Sequence, residues 1–186
     1  MLPLQIHLTL PPWMGDLADL GKAYMSDEER VGLAIELSRR NVAERSGGPF
    51  GAAVFDADNG RLIAVGVNRV VPQSCSLAHA ETMALMIAQQ RLAQHRLNQN
   101  GQRYVLATSA QPCCQCYGAT VWAGIDELLI GARAEDVESL TEFDEGPLPT
   151  DWIGELTRRG IAVRRDLLRD EARAVLADYG RSGTAY

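Results

Sequence analysis

Apolar residues recur at helical spacing in a well-defined stretch near the beginning of the chain. Ser26-Asp27-Glu28-Glu29 has the sequence of a capping box, in which the hydroxyl of Ser26 and the carboxylate of Glu29 each accept a backbone N–H of the first turn. Apolar residues then follow on one helical face: Val31, Ala34, Ile35 and Val42. The pattern predicts a helix that begins at Ser26 and ends at Gly47-Gly48-Pro49.

Further along the chain, segments typical of strands alternate with segments typical of helices. Asn59-Gly60 is a strong turn signal, and strands are predicted at residues 50–55, 61–67, 103–108, 127–131 and 161–164. Helices are predicted from Ala78, Cys113, Ala134, Trp152 and Leu167, with loops at 68–77 and 144–149. The helix from Ala78 is expected to bury Met83, Leu85, Met86 and Leu92. The alternation predicts an α/β fold, a three-layer α/β/α sandwich with a five-stranded mixed sheet.

Residues 1–25 differ from the rest of the chain because Pro3, Pro11 and Pro12 interrupt regular structure. We expect an extended N-terminal arm there, which Trp13 and Leu17 pack onto the domain or onto a partner subunit. The total of 186 residues suits one well-filled domain, so residues 26–186 are predicted to form a single domain.

Composition and charge exclude several classes of protein. A hydrophobic content of 46% and a charged content of 23% are typical of a globular domain. The net charge of −6 argues against a nucleic-acid surface. The stretch 158–181 holds seven arginines, but interleaved acids indicate a solvated helix face. No apolar run approaches the ~20 residues that span a membrane, and residues 1–10 lack the basic segment of a signal peptide. A cytoplasmic location is therefore expected, with the four cysteines as ligands or buried thiols.

Two short motifs carry the chemistry of the chain. Ala78-His79-Ala80-Glu81 opens one predicted helix, and Pro112-Cys113-Cys114-Gln115-Cys116 opens another. The pair has the form H-x-E followed by P-C-x-x-C, in which one imidazole and two thiolates can bind Zn²⁺. His79, Cys113 and Cys116 are the predicted ligands, and the fourth position stays open for water, as in a catalytic zinc site. Both motifs begin helices, so the ligands are expected to meet at two helix N-termini.

The neighbours of these ligands receive separate interpretations. Pro112 suits the first turn of a helix, and Cys114 is predicted to be a buried thiol because it points about 100° away from Cys113. Cys75 is the one alternative fourth ligand, and its binding would close the site. Glu81 would accept a proton from the attacking water and deliver it to a ring nitrogen and then to the leaving amine. These roles describe hydrolytic deamination of an amidine-like carbon.

Each motif alone is weak, since C-x-x-C is often structural and H-x-E carries little information. The joint pattern, with thirty residues between Glu81 and Pro112, is specific. A non-catalytic zinc module that acts as a partner subunit is the competing hypothesis. A purely structural site has no use for a free carboxylate and prefers four protein ligands.

From about residue 28 onward, the chain resembles the cytidine deaminase superfamily, and within it the guanine deaminase branch, whose members include ammeline deaminases. The resemblance rests on Gly47-Gly48-Pro49-Phe50-Gly51, Asn68-Arg69-Val70-Val71, residues 108–113, Val121-Trp122-Ala123-Gly124 and Phe143-Asp144-Glu145-Gly146-Pro147. It implies a zinc-dependent deaminase domain over residues 26–186, with zinc on His79, Cys113 and Cys116.

The resemblance also implies roles for residues that the motifs do not assign. Asn68 would hydrogen-bond the base and Phe50 would stack near it, while Glu145 would be a second acid that handles protons. Ala80 and Trp122 are likewise implied to contact the substrate. The resemblance further implies a homodimer in which the C-terminal segment is exchanged, with residues 180–186 as a tail and Tyr186 closing the active site. On the residues alone, Glu145 would be a loop carboxylate, Phe50 a core residue and Tyr186 a frayed end.

Two positions depart from the pattern of the family: Gln111 stands where Glu is usual, and Gln115 where Met is usual. Both flank zinc ligands, so they bear on the substrate more than on the reaction. The sequence predicts deamination of a free heterocyclic base, foremost guanine to xanthine and ammonia. Ammeline or another aminotriazine is the nearest alternative, followed by a nucleoside or a tRNA, against which the acidic character of the chain argues.

Overall fold

Five strands form one central sheet that helices cover on both faces. The computed structural model describes residue 2 and residues 4–182. The strands are β1 (Gly51–Asp56), β2 (Leu62–Val67), β3 (Tyr104–Ala110), β4 (Glu127–Ala132) and β5 (Ala162–Arg164). Their order is β2-β1-β3-β4-β5; β1 is antiparallel to β2 and β3, and β3, β4 and β5 are parallel. The predicted α/β sandwich with a mixed sheet is confirmed.

The helices are α1 (Asp27–Ala43), α2 (Val70–Gln73), α3 (Ala80–Leu92), α4 (Cys114–Ala123), α5 (Ala134–Leu140), α6 (Trp152–Arg158) and α7 (Arg169–Arg181). Buried residues of α3 share one core with Ala52 and Val54 of β1. Those of α1 and α7 share the other core with Ala53 and Phe55, because alternate residues of a strand face opposite sides. Within the described residues, no helix combines the length and apolarity that crossing a membrane requires.

The helix α1 begins as predicted and ends earlier than predicted. The Ser26 hydroxyl accepts the Glu29 N–H at 3.1 Å, and the Glu29 carboxylate accepts the Ser26 N–H at 3.2 Å. The helix stops at Ala43, since Arg45 takes the left-handed conformation (φ 52°) that was assigned to glycine. Gly47 serves another purpose: a Cβ there would overlap the Asn68 carbonyl oxygen.

Three further predictions need correction. The loop at 68–77 contains the short helix α2, and the N-terminal arm contains a 3-10 helix, Pro12–Asp16. Trp13 and Leu17 of this arm pack against the core, as expected. Met86 is 42% exposed, because α3 turns its small residues, such as Ala84 and Ala88, toward the sheet.

The helix α3 lies unusually close to β2. A Cβ added at Gly66 would overlap the Ala80 carbonyl oxygen and lie 2.5 Å from the Ala84 backbone nitrogen. Ala80 and Ala84 are fully buried. This contact between backbones fixes the distance of the N-terminus of α3 from the sheet.

We expect Gly66→Ala to lower the free energy of unfolding by about 1–3 kcal/mol, the usual cost of overpacking a core. Gly118→Ala is the matched control, because a Cβ at Gly118 in α4 meets no atom within 4 Å. The control is expected to be neutral or to stabilise the protein by up to about 1 kcal/mol, as alanine does in a helix. Urea unfolding of both variants is the measurement, and equal stabilities would contradict the close approach.

Candidate active site

Two helix N-termini bring the predicted metal ligands together. His79 is the N-cap residue of α3, and Cys113 is the N-cap residue of α4; both have extended backbones. Neither side chain caps its own helix, and Cys116 follows in the first turn of α4, fully buried. The ligand atoms of these three residues all lie within 4.8 Å of one another. Pro112 precedes the N-cap and lies outside the first turn where it was predicted, because Cys113 itself takes the capping position.

The geometry of the three side chains fits Zn²⁺. His79 Nδ1 lies 3.4 Å from Cys113 Sγ and 3.6 Å from Cys116 Sγ. Zn–S and Zn–N bonds in a tetrahedral site place such atoms about 3.5 Å apart. The cluster of His79, Cys113 and Cys116 is therefore compatible with a bound Zn²⁺ ion.

The two remaining cysteines do not join the ligand set that the described residues form. Cys75 is half-buried and lines a separate groove. Cys114, which was predicted to be buried, is exposed, because the first residue of α4 points away from the sheet toward Gly146. Three protein ligands leave a zinc position open, which is the arrangement of a catalytic site.

The carboxyl group of Glu81 is buried beside the ligands. This residue is only 8% exposed to solvent. Burial, reinforced by the charge of Cys113, raises the pKa of Glu81 to about 7. A hydrogen bond from the Cys116 thiol, with a second from His79, lowers the pKa of Cys113 to about 4. A carboxyl group with a pKa near neutrality can both take up and release a proton during turnover.

The ligands open into a cavity of about 150 Å³. Its walls are formed by Phe50, Asn68, His79, Ala80, Glu81, Gln111, Cys113, Phe143, Asp144 and Glu145. A cavity of this volume admits one aromatic ring in other proteins. The space suits a small planar molecule.

Asn68 stands in the wall with its orientation fixed. Its Oδ1 accepts N–H groups of Gly48 at 3.4 Å and Val70 at 3.2 Å. The buried Asn41 donates from Nδ2 to the carbonyl oxygens of Asn68 at 2.9 Å and Gly48 at 2.8 Å. These bonds tie the loop before β1 to the loop after β2.

Glu145 reaches the cavity from the loop between α5 and α6. It is 7% exposed, and burial together with the negative charges of Cys113 and Glu81 raises its pKa to about 8. Phe50 also lines the cavity, and its ring meets that of Phe143 edge to face at 5.3 Å. The structure thus gathers Glu145, Phe50, Asn68 and Ala80 around the zinc ligands, although the residues alone gave Glu145 and Phe50 ordinary roles.

One predicted contact is not found at this cavity, and a second concerns a residue that the structure does not describe. Trp122 is 78% exposed and lines a separate groove. Tyr186 lies outside the described residues. Conversely, Gln111, Phe143 and Asp144 line the cavity without having been predicted to do so. The aromatic residue within an acidic loop was the available signal for Phe143. Gln115 donates to the Leu77 carbonyl oxygen at 3.3 Å and faces the separate groove.

A His-Cys-Cys zinc site with a buried glutamate, at the end of a small cavity in an α/β sandwich, defines a zinc-dependent hydrolytic deaminase. The sequence profile of the cytidine and deoxycytidylate deaminase zinc-binding region matches residues 25–132. The chain belongs to this family.

Solved structures and a curated relative support this assignment. The structure of guanine deaminase from Nitrosomonas europaea is 45% identical, covers 97% of this chain and 99% of its own, and has a TM-score of 0.91. A related structure in complex with 8-azaguanine is 46% identical, covers 96% and 98%, and has a TM-score of 0.91. The tRNA-specific adenosine deaminase of Buchnera aphidicola is 28% identical over 83% of this chain and 95% of its own length.

Substitution of single cysteines tests the ligand set. We expect Cys116→Ser to weaken zinc affinity by more than about 100-fold, since loss of a group that merely orients a ligand already costs about 10–100-fold. Cys75→Ser and Cys114→Ser are expected to retain zinc. Metal content by mass spectrometry and competition with a chelator are the measurements. Loss of zinc from Cys75→Ser would indicate a closed, four-ligand site.

Proposed function

We propose that the protein deaminates guanine to xanthine and ammonia. The main observation behind this proposal is that two buried carboxyl groups, those of Glu81 and Glu145, line one small cavity beside the zinc ligands. The cavity of about 150 Å³ favours a free base over a nucleotide. The similarity to a guanine deaminase over nearly the whole chain supports the same substrate.

The reaction adds water to the carbon that carries the exocyclic amine and expels ammonia. Zinc, when bound, supplies Lewis-acid activation of the water. Glu81 accepts a proton from this water and transfers it to the adjacent ring nitrogen, so that the carbon becomes tetrahedral. The second proton of the water goes to the amine, which departs as ammonia while a carbonyl group forms on the ring.

We assign the second proton transfer to Glu145. With a pKa raised to about 8, the carboxyl group is largely protonated at neutral pH. It can donate its proton to the departing amine and take up the second proton of the water as the carbonyl group forms. Asn68 would hydrogen-bond the base, and Phe50 would stack against its face. Ala80 and Gln111 complete the walls, and Gln111 offers an amide where the family usually has a carboxylate. This difference makes aminotriazines such as ammeline the next substrates to test.

A tRNA or nucleoside substrate is the second candidate, favoured by the similarity to tRNA-specific adenosine deaminase. The charges of the chain oppose it. Six of the seven arginines in residues 158–181 form ion pairs with acids, and Arg165 lies over the Trp152 ring. Asp144 at the cavity would repel phosphates. Salt-dependent binding of an anticodon stem-loop would revive this candidate.

A non-catalytic role as a zinc-binding partner subunit fits the site less well. Glu81 is buried at an energetic cost, and no structural zinc needs a carboxylate that is not a ligand. Turnover of guanine would exclude this role.

Replacement of the proton carrier tests the reaction. We expect Glu81→Gln to lower kcat for ammonia release from guanine by about 10²–10⁴-fold with zinc content unchanged, because general acid–base catalysis contributes about that much. Glu142→Gln, an exposed change in the loop that carries Glu145, is the control and should keep full activity. An active Glu81→Gln variant would contradict the role. Wild-type protein that binds zinc and leaves guanine unchanged would shift the substrate to aminotriazines or nucleosides.

We further propose that two chains form a homodimer through an apolar groove of about 830 Å³ on the outer side of α3 and α4. None of the residues that line it is Asp, Glu, Lys or Arg. A two-fold interface places each surface against its own copy, so an uncharged surface avoids like-charge repulsion in a chain of net charge −6. Trp122, Met86 and Ile6 are exposed there, and aromatic residues and Met are enriched at interfaces. The predicted exchange of the C-terminal segment concerns residues 180–186, of which 183–186 lie outside the described residues.

A charge placed in the groove tests this dimer. We expect Trp122→Glu to shift the protein from dimer to monomer at micromolar concentration, with at least about a tenfold loss of association. Leu20→Glu, at a site 50% exposed outside the groove, is the matched control and should leave the dimer intact. Light scattering after size-exclusion chromatography is the measurement. A monomeric wild type, or an unchanged dimer in Trp122→Glu, would exclude this interface.

A cytoplasmic location is also part of this proposal. The four cysteines are free in the structure, and the ligand thiols need to remain reduced to bind zinc. A reducing compartment provides this condition.

A further inference from the structure

The loop between α5 and α6, residues 141–151, brings Glu145 over the zinc ligands although it belongs to no helix or strand. A carboxyl group that transfers a proton has to lie within about 3 Å of the atoms it serves. The contacts of this loop therefore decide whether Glu145 can act.

One side of the loop rests on the N-terminus of α4. The Glu145 carbonyl oxygen accepts the Cys114 N–H at 3.0 Å. Gly146 follows in the left-handed conformation (φ 68°), and a Cβ there would lie 2.7 Å from Cys114 Sγ. This side holds the backbone of the loop next to Cys113.

The other side of the loop is held by aromatic rings. Phe143 lies two residues before Glu145, and its ring stacks on that of Tyr179 with centroids 5.7 Å apart and an interplanar angle of 19°. The Phe143 ring also meets the Phe50 ring in the cavity wall edge to face. Tyr179 is 5% exposed and does not line the cavity, whereas Phe50 and Phe143 do.

Tyr179 stands on a firmly attached helix. Asp136 of α5 is 1% exposed and accepts two hydrogen bonds from Arg169 of α7, at 2.7 and 2.8 Å, and another from Arg173. Near the other end of α7, a Cβ at Gly180 would overlap the Leu140 carbonyl oxygen, directly before the loop. The helix α7 is thus held tightly against α5, the helix that precedes the loop.

We propose that Tyr179 is a positioning residue for the deamination, acting through the Phe143 ring to hold the Glu145 loop over the zinc ligands. The inference rests on the proposed function, since it assigns Tyr179 a part in the proton transfer to the amine. Stacked rings set both the distance and the tilt of Phe143, which a flexible apolar side chain of similar volume does not. A misplacement of about 1 Å is enough to cost about 10²-fold in rate.

Two readouts test the proposal: steady-state kinetics with guanine, and hydrogen–deuterium exchange at the backbone amides of residues 142–146. Tyr179→Leu is expected to lower kcat by at least about tenfold with a smaller change in KM, and to speed exchange in the loop. Tyr179→Phe keeps the ring and should restore both properties. Tyr179→Met, with a flexible side chain of similar length, serves where the leucine variant does not fold.

Val175→Ala is the matched control for a loss of packing. Val175 is 4% exposed on the same helix as Tyr179 and belongs to the core that α1 and α7 share with the sheet. This variant should lower the melting temperature while kcat and exchange at residues 142–146 stay at their wild-type values. A general loosening of α7 that produced the same kinetic defect in Val175→Ala would overturn the proposal.

The outcomes separate this inference from the function on which it rests. If wild-type protein deaminates guanine and the leucine or methionine variant keeps wild-type kcat and exchange, the role of Tyr179 is excluded and the function stands. If wild-type protein holds zinc and releases no ammonia from guanine, the proposed substrate is wrong. Exchange then still decides whether Tyr179 holds the loop.

Discussion

The position of two helix N-termini is the constraint on which the rest of the site depends. His79 and Cys113 are the N-cap residues of α3 and α4, and a tetrahedral zinc site tolerates only a few tenths of an ångström in their separation. The contact of Gly66 with the backbone of α3 fixes the N-terminus of α3. The N-terminus of α4 follows β3, where the Gln111 N–H donates to the Ala132 carbonyl oxygen at 2.8 Å. The sheet thus sets the separation of the metal ligands.

A consequence of this arrangement is a dense collection of acidic groups away from water. Two thiols and two carboxyl groups share a space that also receives the positive ends of two helix dipoles, which stabilise thiolates. Burial acts on the carboxyl groups in the opposite direction and raises the pKa values of Glu81 and Glu145 to about 7 and about 8. The same desolvation that would destabilise a structural carboxylate supplies groups that exchange protons at neutral pH. The acid–base chemistry and the metal binding therefore arise from one geometrical cause.

Features encoded by local spacing were predictable from the sequence, and features that depend on distant contacts were not. The capping box of Ser26 and Glu29, the strand alternation and the three ligands follow from patterns of a few residues. The predicted end of α1 was wrong because Arg45 adopts a left-handed conformation, which sequence statistics assign to glycine. Cys114 and Met86 were placed on the wrong side because burial depends on the direction from which the sheet approaches a helix. The entry of Phe143 and Gln111 into the cavity depends on segments far apart in the chain, and the one local signal for it was the aromatic residue within the acidic loop.

The residues of the site fall into two groups, which differ in the contacts that hold them in place. The ligands and Glu81 stand on two helices that backbone contacts lock to the sheet, so changes in those backbone contacts alter metal binding and the protein fold together. Asn68, Phe50, Phe143 and Glu145 stand on connections. These are held by the Asn41 side chain, by the Tyr179 ring and by a backbone hydrogen bond to the N-terminus of α4. The contacts of Asn41 and Tyr179 involve no residue of α3 or α4, so they can change without moving the zinc ligands. We therefore propose that the residues on these connections, rather than the ligands, select the heterocycle that enters the cavity.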